Sequence, residues 1–320
     1  MVFVSVLMVL SLSTAGTAAG KITIGVILPQ ADADGFRANY IGVRQAAEKL
    51  GVDTILLSAQ NSVDRQLSQI EDLITQRVGA IIFIPVDSGA MSTGVEKANA
   101  AGIPIVAMDR STVGGKLTGL VESDNVAHGR AGADLIAEAA KKAGIPLKQI
   151  RVLELLGDLA TSAGLERHKG FEERAKELGM TIVAQLPTHW NNDEALASTL
   201  DAFQAHPEIN AIFEASDIAM HAGVESALSS LGRLKPAGQK GHIIISAVDG
   251  GPNGIKAVRA GYIDGIAAQQ LLGMGEMALQ IAVKAIKGEP IKDRVIRLAP
   301  DLVSPENVDS PTHWANQINL

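Results

Sequence analysis

The sequence predicts an α/β chain built as two doubly wound parallel-sheet lobes. Three observations carry this expectation. After Lys21, short apolar runs give way to helical spacing again and again. The runs are apolar throughout, as in AIIFIP (80–85), which suits strands covered on both faces. The alternation also comes in two sets of similar size, with no Gly/Ser/Pro-rich linker between them.

Each element follows from the same rule. ITIGVIL (22–28) reads as a strand and 36–50 as a helix closed by Gly51. Strands at 54–58, 80–85 and 104–108 alternate with helices at 63–78 and 88–101. LTGLV (118–122) and SDN (123–125) lead into a helix over 126–143. The second set has strands at 151–156, 181–186, 211–215 and 242–248, separated by helices at 163–178, 193–205 and 218–231. The halves echo one another. IFIPVDSGAM (82–91) resembles IFEASDIAM (212–220), and IVAMD (105–109) resembles IISAVD (244–249).

Composition bounds the function. A chain of 320 residues, 47% hydrophobic, has the length of about two domains, each able to bury a core. A net charge of -7 without a basic stripe argues against nucleic acid and against an anionic membrane surface. No cysteine is present, so neither a disulfide nor a lipid anchor on an N-terminal Cys is expected. Residues 1–20 carry no charge, and Val2 to Leu12 is apolar but shorter than the ~20 residues of a membrane span. This reads as a signal peptide cleaved after Ala19 or Gly20, hence a periplasmic product, although the positive n-region is missing. A buried N-terminal strand is the alternative.

Ligands of open α/β sheets bind outside the carboxyl ends of the strands. Asp109, Arg110, Asp217 and Asp249 all fall just past such ends. An ionised Asp accepts from two hydroxyls, and an Arg offers a planar fork of donors, so together they suit a neutral, hydroxyl-rich ligand. Trp190, one of two Trp, lies in the loop PTHWNND, and Phe36 lies at the first strand-to-helix turn. Their rings can cover the two faces of a sugar, or serve as ordinary packing. The alternative for each Asp is a helix N-cap, which for Asp217, just before a helix, is the stronger reading from position alone, and Asp109–Arg110 can be a local ion pair at a turn.

Several pieces, in order and at matching spacing, resemble the periplasmic sugar-binding proteins of the ribose/allose/galactose class, solute receptors for ABC importers. These pieces are the strand ending in Asp109-Arg110, SDN (123–125), ELLGDLATSAGLERHKGF (154–171), AHPEINAIFEASD (205–217), ISAVDGGPNG (245–254) and IAAQQ (266–270). The likeness runs from about Lys21 to about residue 300. It implies the type I fold of that class, with lobes 21–123 plus 270–298 and 124–269 plus 299–320. The implied hinge has three segments, near 123–125, 269–271 and 297–301. It also implies roles. Arg167 binds sugar hydroxyls or the ring oxygen, Trp190 is the second-lobe aromatic, Asp249 and Gln269 are contacts, and Asp109, Arg110 and Phe36 belong to the first lobe. Without the likeness, Arg167 reads as a surface partner of Glu166, Glu172 or Glu173. Two departures stand out. DADGF (32–36) places Gly35 where the family has an aromatic, leaving Asp34, or Asp32, to supply a polar contact. Ser216 stands where an Asn usually precedes Asp217.

The expected function is capture of a monosaccharide or polyol for an ABC permease, with no cofactor, no metal and no bond broken. The same receptor could instead signal through a membrane chemoreceptor. The seven His form no HExxH or close pair, and neither a G-x-S-x-G nor a cysteine nucleophile is present, which argues against an enzyme. A repressor-type regulator shares the two-lobed core but needs a DNA-binding helix-turn-helix ahead of it.

Overall fold

The computed structural model describes residues 22–318; the expected leader, 1–20, and its cleavage point lie outside the described residues. The chain runs β1 (Thr23–Leu28), α1 (Asp34–Leu50), β2 (Asp53–Ser58), α2 (Val63–Thr75), β3 (Ala80–Phe83), α3 (Ser92–Ala100), β4 (Ile105–Met108) and β5 (Gly119–Ser123). It then crosses to a second unit: α4 (Asn125–Lys142), a 3-10 turn at Leu147–Gln149, β6 (Arg151–Leu156), α5 (Ser162–Glu177), β7 (Thr181–Pro187), α6 (Asn192–Ala205), β8 (Ala211–Glu214), α7 (Asp217–Ser230), β9 (Ile244–Asp249), α8 (Pro252–Ala260) and β10 (Gly265–Ala268). It returns through α9 (Leu271–Ile286) to β11 (Val295–Leu298), and crosses a last time to β12 (Asp301–Val303) and α10 (Trp314–Gln317).

Two six-stranded sheets result, ordered β2-β1-β3-β4-β5-β11 and β7-β6-β8-β9-β10-β12. The same winding is used twice. Strand pairs are parallel except β10–β12, which is antiparallel. β12 departs from the all-parallel expectation because the chain leaves the carboxyl end of β11, crosses in two residues and enters the second sheet beside the carboxyl end of β10, with Asp301 opposite Ala268, so it runs back along β10. Central strands such as β3 and β4 are buried at every position, while the edge strands β2 and β7 are largely open to solvent. α3 starts four residues later than its periodicity suggests. Asp87 Oδ1 accepts from the backbone N–H groups of Gly89 and Ala90, which turns the chain before the helix can begin.

Close helix pairs fix the site. A Cβ on Gly275 of α9 would lie 2.0 Å from the Asn39 carbonyl oxygen of α1. One on Gly129 of α4 would lie 2.1 Å from that of Arg167 on α5. Only glycine lets these backbones meet, so the rotation of α1 and α5 about their axes is set by contact. Both helices then present fixed faces to the strand ends.

The sheets also touch on two sides. At the crossings, Ser123 Oγ of β5 donates to Gln269 Oε1 at 2.7 Å. At the opposite edge, Ser162 N donates to Ser88 Oγ and Ser111 N to Ser162 Oγ, each at 3.1 Å, and Ser88 N to the Ala160 carbonyl at 3.2 Å.

Beside the crossings, Arg297 Nε donates to Glu122 Oε1 at 3.0 Å while Oε2 has no hydrogen-bond partner among the described residues. Burial first, and the Glu166 carboxylate second, push Glu122 up to about 7 against the pull of Arg297. The native protein therefore holds this proton where the unfolded chain has lost it, and stability falls as pH rises from about 4.5 to about 7. Glu122→Gln should flatten that decline by about 1–3 kcal/mol in urea titrations at several pH values. Parallel curves for the two proteins would refute the assignment.

Candidate functional site

Between the carboxyl ends of the two sheets lies a cavity of about 260 Å³. That is small beside the ~300–1,000 Å³ of drug-sized pockets, and fits a small molecule. Eight residues singled out from the sequence line it: Phe36, Asp109, Arg110, Arg167, Trp190, Ser216, Asp249 and Gln269.

Asp109 and Asp249 occupy equivalent places, just after β4 and at the end of β9. Both have left-handed backbone, with φ of 65° and 96°. Non-glycine residues rarely sit there, and such strain concentrates where a side chain must be aimed. At Asp109 the chain is pinned by Asp109 N donating to the Val121 carbonyl at 2.8 Å and Arg110 N to that of Met108 at 2.7 Å. At Asp249 the carbonyl accepts from Gln269 N at 3.1 Å and from Trp314 Nε1 at 2.8 Å.

The two acids are partnered differently. Asp249 Oδ1 accepts from Arg167 Nη1 at 2.9 Å and from Gln269 Nε2 at 2.6 Å, and Oδ2 from Ser216 Oγ. Arg167 also donates to Asn125 Oδ1 at 2.9 Å and to the Ala215 carbonyl at 2.7 Å. It is 3% exposed, so the surface pairing with Glu166, Glu172 or Glu173 does not form. The Asp109 carboxylate has only Arg110 Nε, at 3.6 Å, too far for a hydrogen bond. Burial pushes Asp109 up, opposed by Arg110 and Arg167, and burial pushes Arg110 down. Arg110 Nη1 reaches the Pro85 carbonyl at 3.3 Å, and its buried Nε makes no hydrogen bond among the described residues.

Both aromatic rings lie against guanidinium groups. The Arg110 guanidinium lies 5.5 Å from the Phe36 ring centre and 5.8 Å from that of Trp190. That of Arg167 lies 5.7 Å from Trp190. These are cation–π distances. Trp190 rests on Gly157, where a Cβ would stand 2.0 Å from the indole ring. The indole Nε1 is buried without a hydrogen-bond partner among the described residues.

Two of the singled-out residues stand apart. Asp34 is half-buried and lies 3.6 Å from Arg37, one helical turn on, outside the cavity lining. Asp217 is buried behind the cavity, its oxygens accepting from the N–H groups of Gly250 at 2.9 Å and Gly251 at 2.8 Å. Burial, then the Asp249 and Glu214 carboxylates, push it up to about 8. It is not the cap of α7 either; Ser216 Oγ is, accepting from Ala219 N at 3.1 Å. Gly35 does not open extra space, since Ile218 and Leu271 close over it, a Cβ there lying 3.3 Å and 3.6 Å from their methyl groups.

The cavity also has walls that sequence reasoning missed: Asn39, Asp158 and His189 among polar residues, Ile218 and Leu271 among apolar ones. For Asn39 a signal existed. It falls on the stripe Asn39, Gly42, Val43, Ala46 that α1 buries, where a polar residue is out of place.

A periplasmic binding protein domain model matches residues 24–290. The chain belongs to the periplasmic binding protein family. This is a class of solute-binding proteins, not of enzymes. The ribose import binding protein of Salmonella typhimurium is 31% identical over 283 residues, covering 88% of this chain and 91% of that one. The xylitol-binding protein of Mycolicibacterium smegmatis is 28% identical over 270 residues, 84% of this chain and 73% of its own length. Among solved structures, an ABC transporter solute binding protein from Bacillus halodurans with bound myo-inositol superposes with a TM-score of 0.81 at 26% identity, covering 92% of this chain and 99% of that one. One from Actinobacillus succinogenes with bound D-allose gives 0.81 at 27% identity, covering 90% and 99%. The two α/β lobes of this chain are those of the family's type I members.

The seat of Trp190 can be tested without a ligand. Gly157→Ala should force the indole off its place, changing Trp emission and costing about 1–3 kcal/mol through overpacking. An unchanged spectrum at unchanged stability would contradict the packing described.

Proposed function

We propose that the protein captures a neutral monosaccharide or polyol between its lobes in the periplasm and delivers it to an ABC permease. One observation carries the reading. Two buried acids and two buried arginines meet in a cavity shared by both lobes, and the formal charges of these four cancel, the half-buried Asp158 on the wall adding one negative charge outside the group. A charged ligand would upset that balance, while an uncharged one rich in hydroxyls uses it. Asp109 has acceptor sites to spare, and the guanidinium groups supply donors. Hydrogen bonds from charged groups to neutral hydroxyls contribute about 1.5–3 kcal/mol each. The indole and phenyl rings give the site apolar faces for ring C–H groups. The ligands in the relatives' names, ribose, xylitol, myo-inositol and allose, belong to this chemical class.

Because both lobes contribute contacts, a ligand stabilises the closed arrangement more than an open one, and the permease reads that difference. The site breaks no bond.

Thermal shift and calorimetry against D-ribose, D-allose, D-arabinose, xylitol and myo-inositol test the reading. A ligand at 100 times its Kd should add ~2.7 kcal/mol of stability. Trp190→Ala should weaken the tightest of them at least about tenfold and abolish any ligand-linked change in Trp emission. Stabilisation by charged solutes alone, with none from neutral sugars or polyols, would overturn it.

A further inference from the structure

Asn39 is fully buried in the middle of α1, and neither Oδ1 nor Nδ2 has a hydrogen-bond partner among the described residues. A buried amide without partners costs stability, so native proteins rarely leave one. The helix cannot rotate to relieve it. The Asn39 carbonyl is packed against Gly275, and Ala38, Val43 and Ala46 of α1 are buried with it. For folding alone, an apolar side chain of similar size would serve better here. Yet Asn39 lines the cavity, on the first-lobe wall that Phe36 and Leu271 also form.

An amide presents a donor and an acceptor together. A hydroxyl answers both. An ether oxygen or a carbonyl would satisfy only the donor, an ammonium only the acceptor, and a methylene neither. We propose that Asn39 is a specificity-determining ligand contact, reading one hydroxyl of a neutral polyhydroxylated ligand at the α1 end of the cavity. This rests on the cavity being the sugar or polyol site proposed above. Sites that hydrogen-bond a substrate hydroxyl discriminate strongly against analogues lacking it, because the protein's own polar group is then left unpaired. The protein thereby selects among sugars and polyols by a group on α1, outside the acids and Arg110 at the strand ends and Arg167 on α5.

The test is Asn39→Leu in the full mature protein, read twice. Without ligand, its Tm should equal or exceed that of wild type, by about 2 °C where the orphaned amide is fully relieved. With D-ribose, D-allose, D-arabinose, xylitol and myo-inositol in calorimetry, affinity for the compound that wild type binds most tightly should drop at least about tenfold. Asn39→Ala, which adds no bulk, should show the same loss of affinity, separating a lost contact from a steric block. Affinity kept within about threefold in both variants overturns the proposal while leaving the sugar site standing. A ligand-free Tm well below wild type for Asn39→Leu also overturns it, since Asn39 would then be serving the fold. Wild type binding none of the five removes the underlying reading itself.

Discussion

The Asp249 carboxylate is the fixed point of the molecule. It takes hydrogen bonds from Arg167 on α5, Ser216 at the start of α7 and Gln269 after β10, so three elements of the second lobe refer to one acid. Gln269 passes the reference on by accepting from Ser123 of the first sheet. The Asp249 carbonyl takes the indole N–H of Trp314, whose ring is packed into the first-lobe core. A buried ion pair such as Arg167–Asp249 is weak evidence for stability, because desolvation offsets much of the attraction. Its value here is positional. Breaking it would leave one charge buried and uncompensated, which typically costs about 3–5 kcal/mol, so the geometry holds as a unit or fails as a unit.

The pseudo-symmetric acid in the first lobe has a different task. Asp109 sits at the equivalent strand end with the same left-handed backbone, but its carboxylate is paired with Arg110 alone among the described residues, at 3.6 Å and without a hydrogen bond. One winding scheme, used twice, has given two acids with divided roles. Asp249 spends its lone pairs on orienting Arg167 and joining the lobes. Asp109 keeps its own, and in a site for hydroxyls it is the acid with acceptor capacity left.

The sequence revealed the sheets more readily than the walls of the cavity. Central strands are continuous apolar runs, and such runs announce themselves. β12 is three residues long and antiparallel, so it shows no run to read. The strand-end acids were legible because the βα rhythm fixes where strands stop. Their division of labour was not, since it depends on which partners arrive from distant segments. Asp217 shows the limit most clearly. It follows a strand and opens a helix, as Asp109 follows β4, but it turns backward to the Gly250 and Gly251 N–H groups. The helix that follows Asp217 suggests a cap there, but not that its carboxylate would turn to a distant loop. Asn39 is the reverse case, a residue whose place on an apolar stripe carried a signal that helix assignment alone does not weigh.

Contacts between the lobes divide into a strong side and a weak side. At the crossings the lobes share buried hydrogen bonds, from Ser123 to Gln269 and from Trp314 to the Asp249 carbonyl, and a Trp in a core. At the opposite edge they share three hydrogen bonds of Ser88, Ser111 and Ser162, none involving a charged group. Neutral hydrogen bonds contribute only about 0.5–1.5 kcal/mol each, and opening would return these groups to water. The serine edge alone therefore cannot commit the lobes to one arrangement. A molecule touching Asp109 and Arg110 on one side and Arg167 and Trp190 on the other adds several charge-assisted bonds that exist only when the lobes meet. A shift of about 1.4 kcal/mol already changes a two-state population tenfold. Under the proposed function, occupancy of the cavity, not the serine contacts, would decide which form of the protein a permease meets.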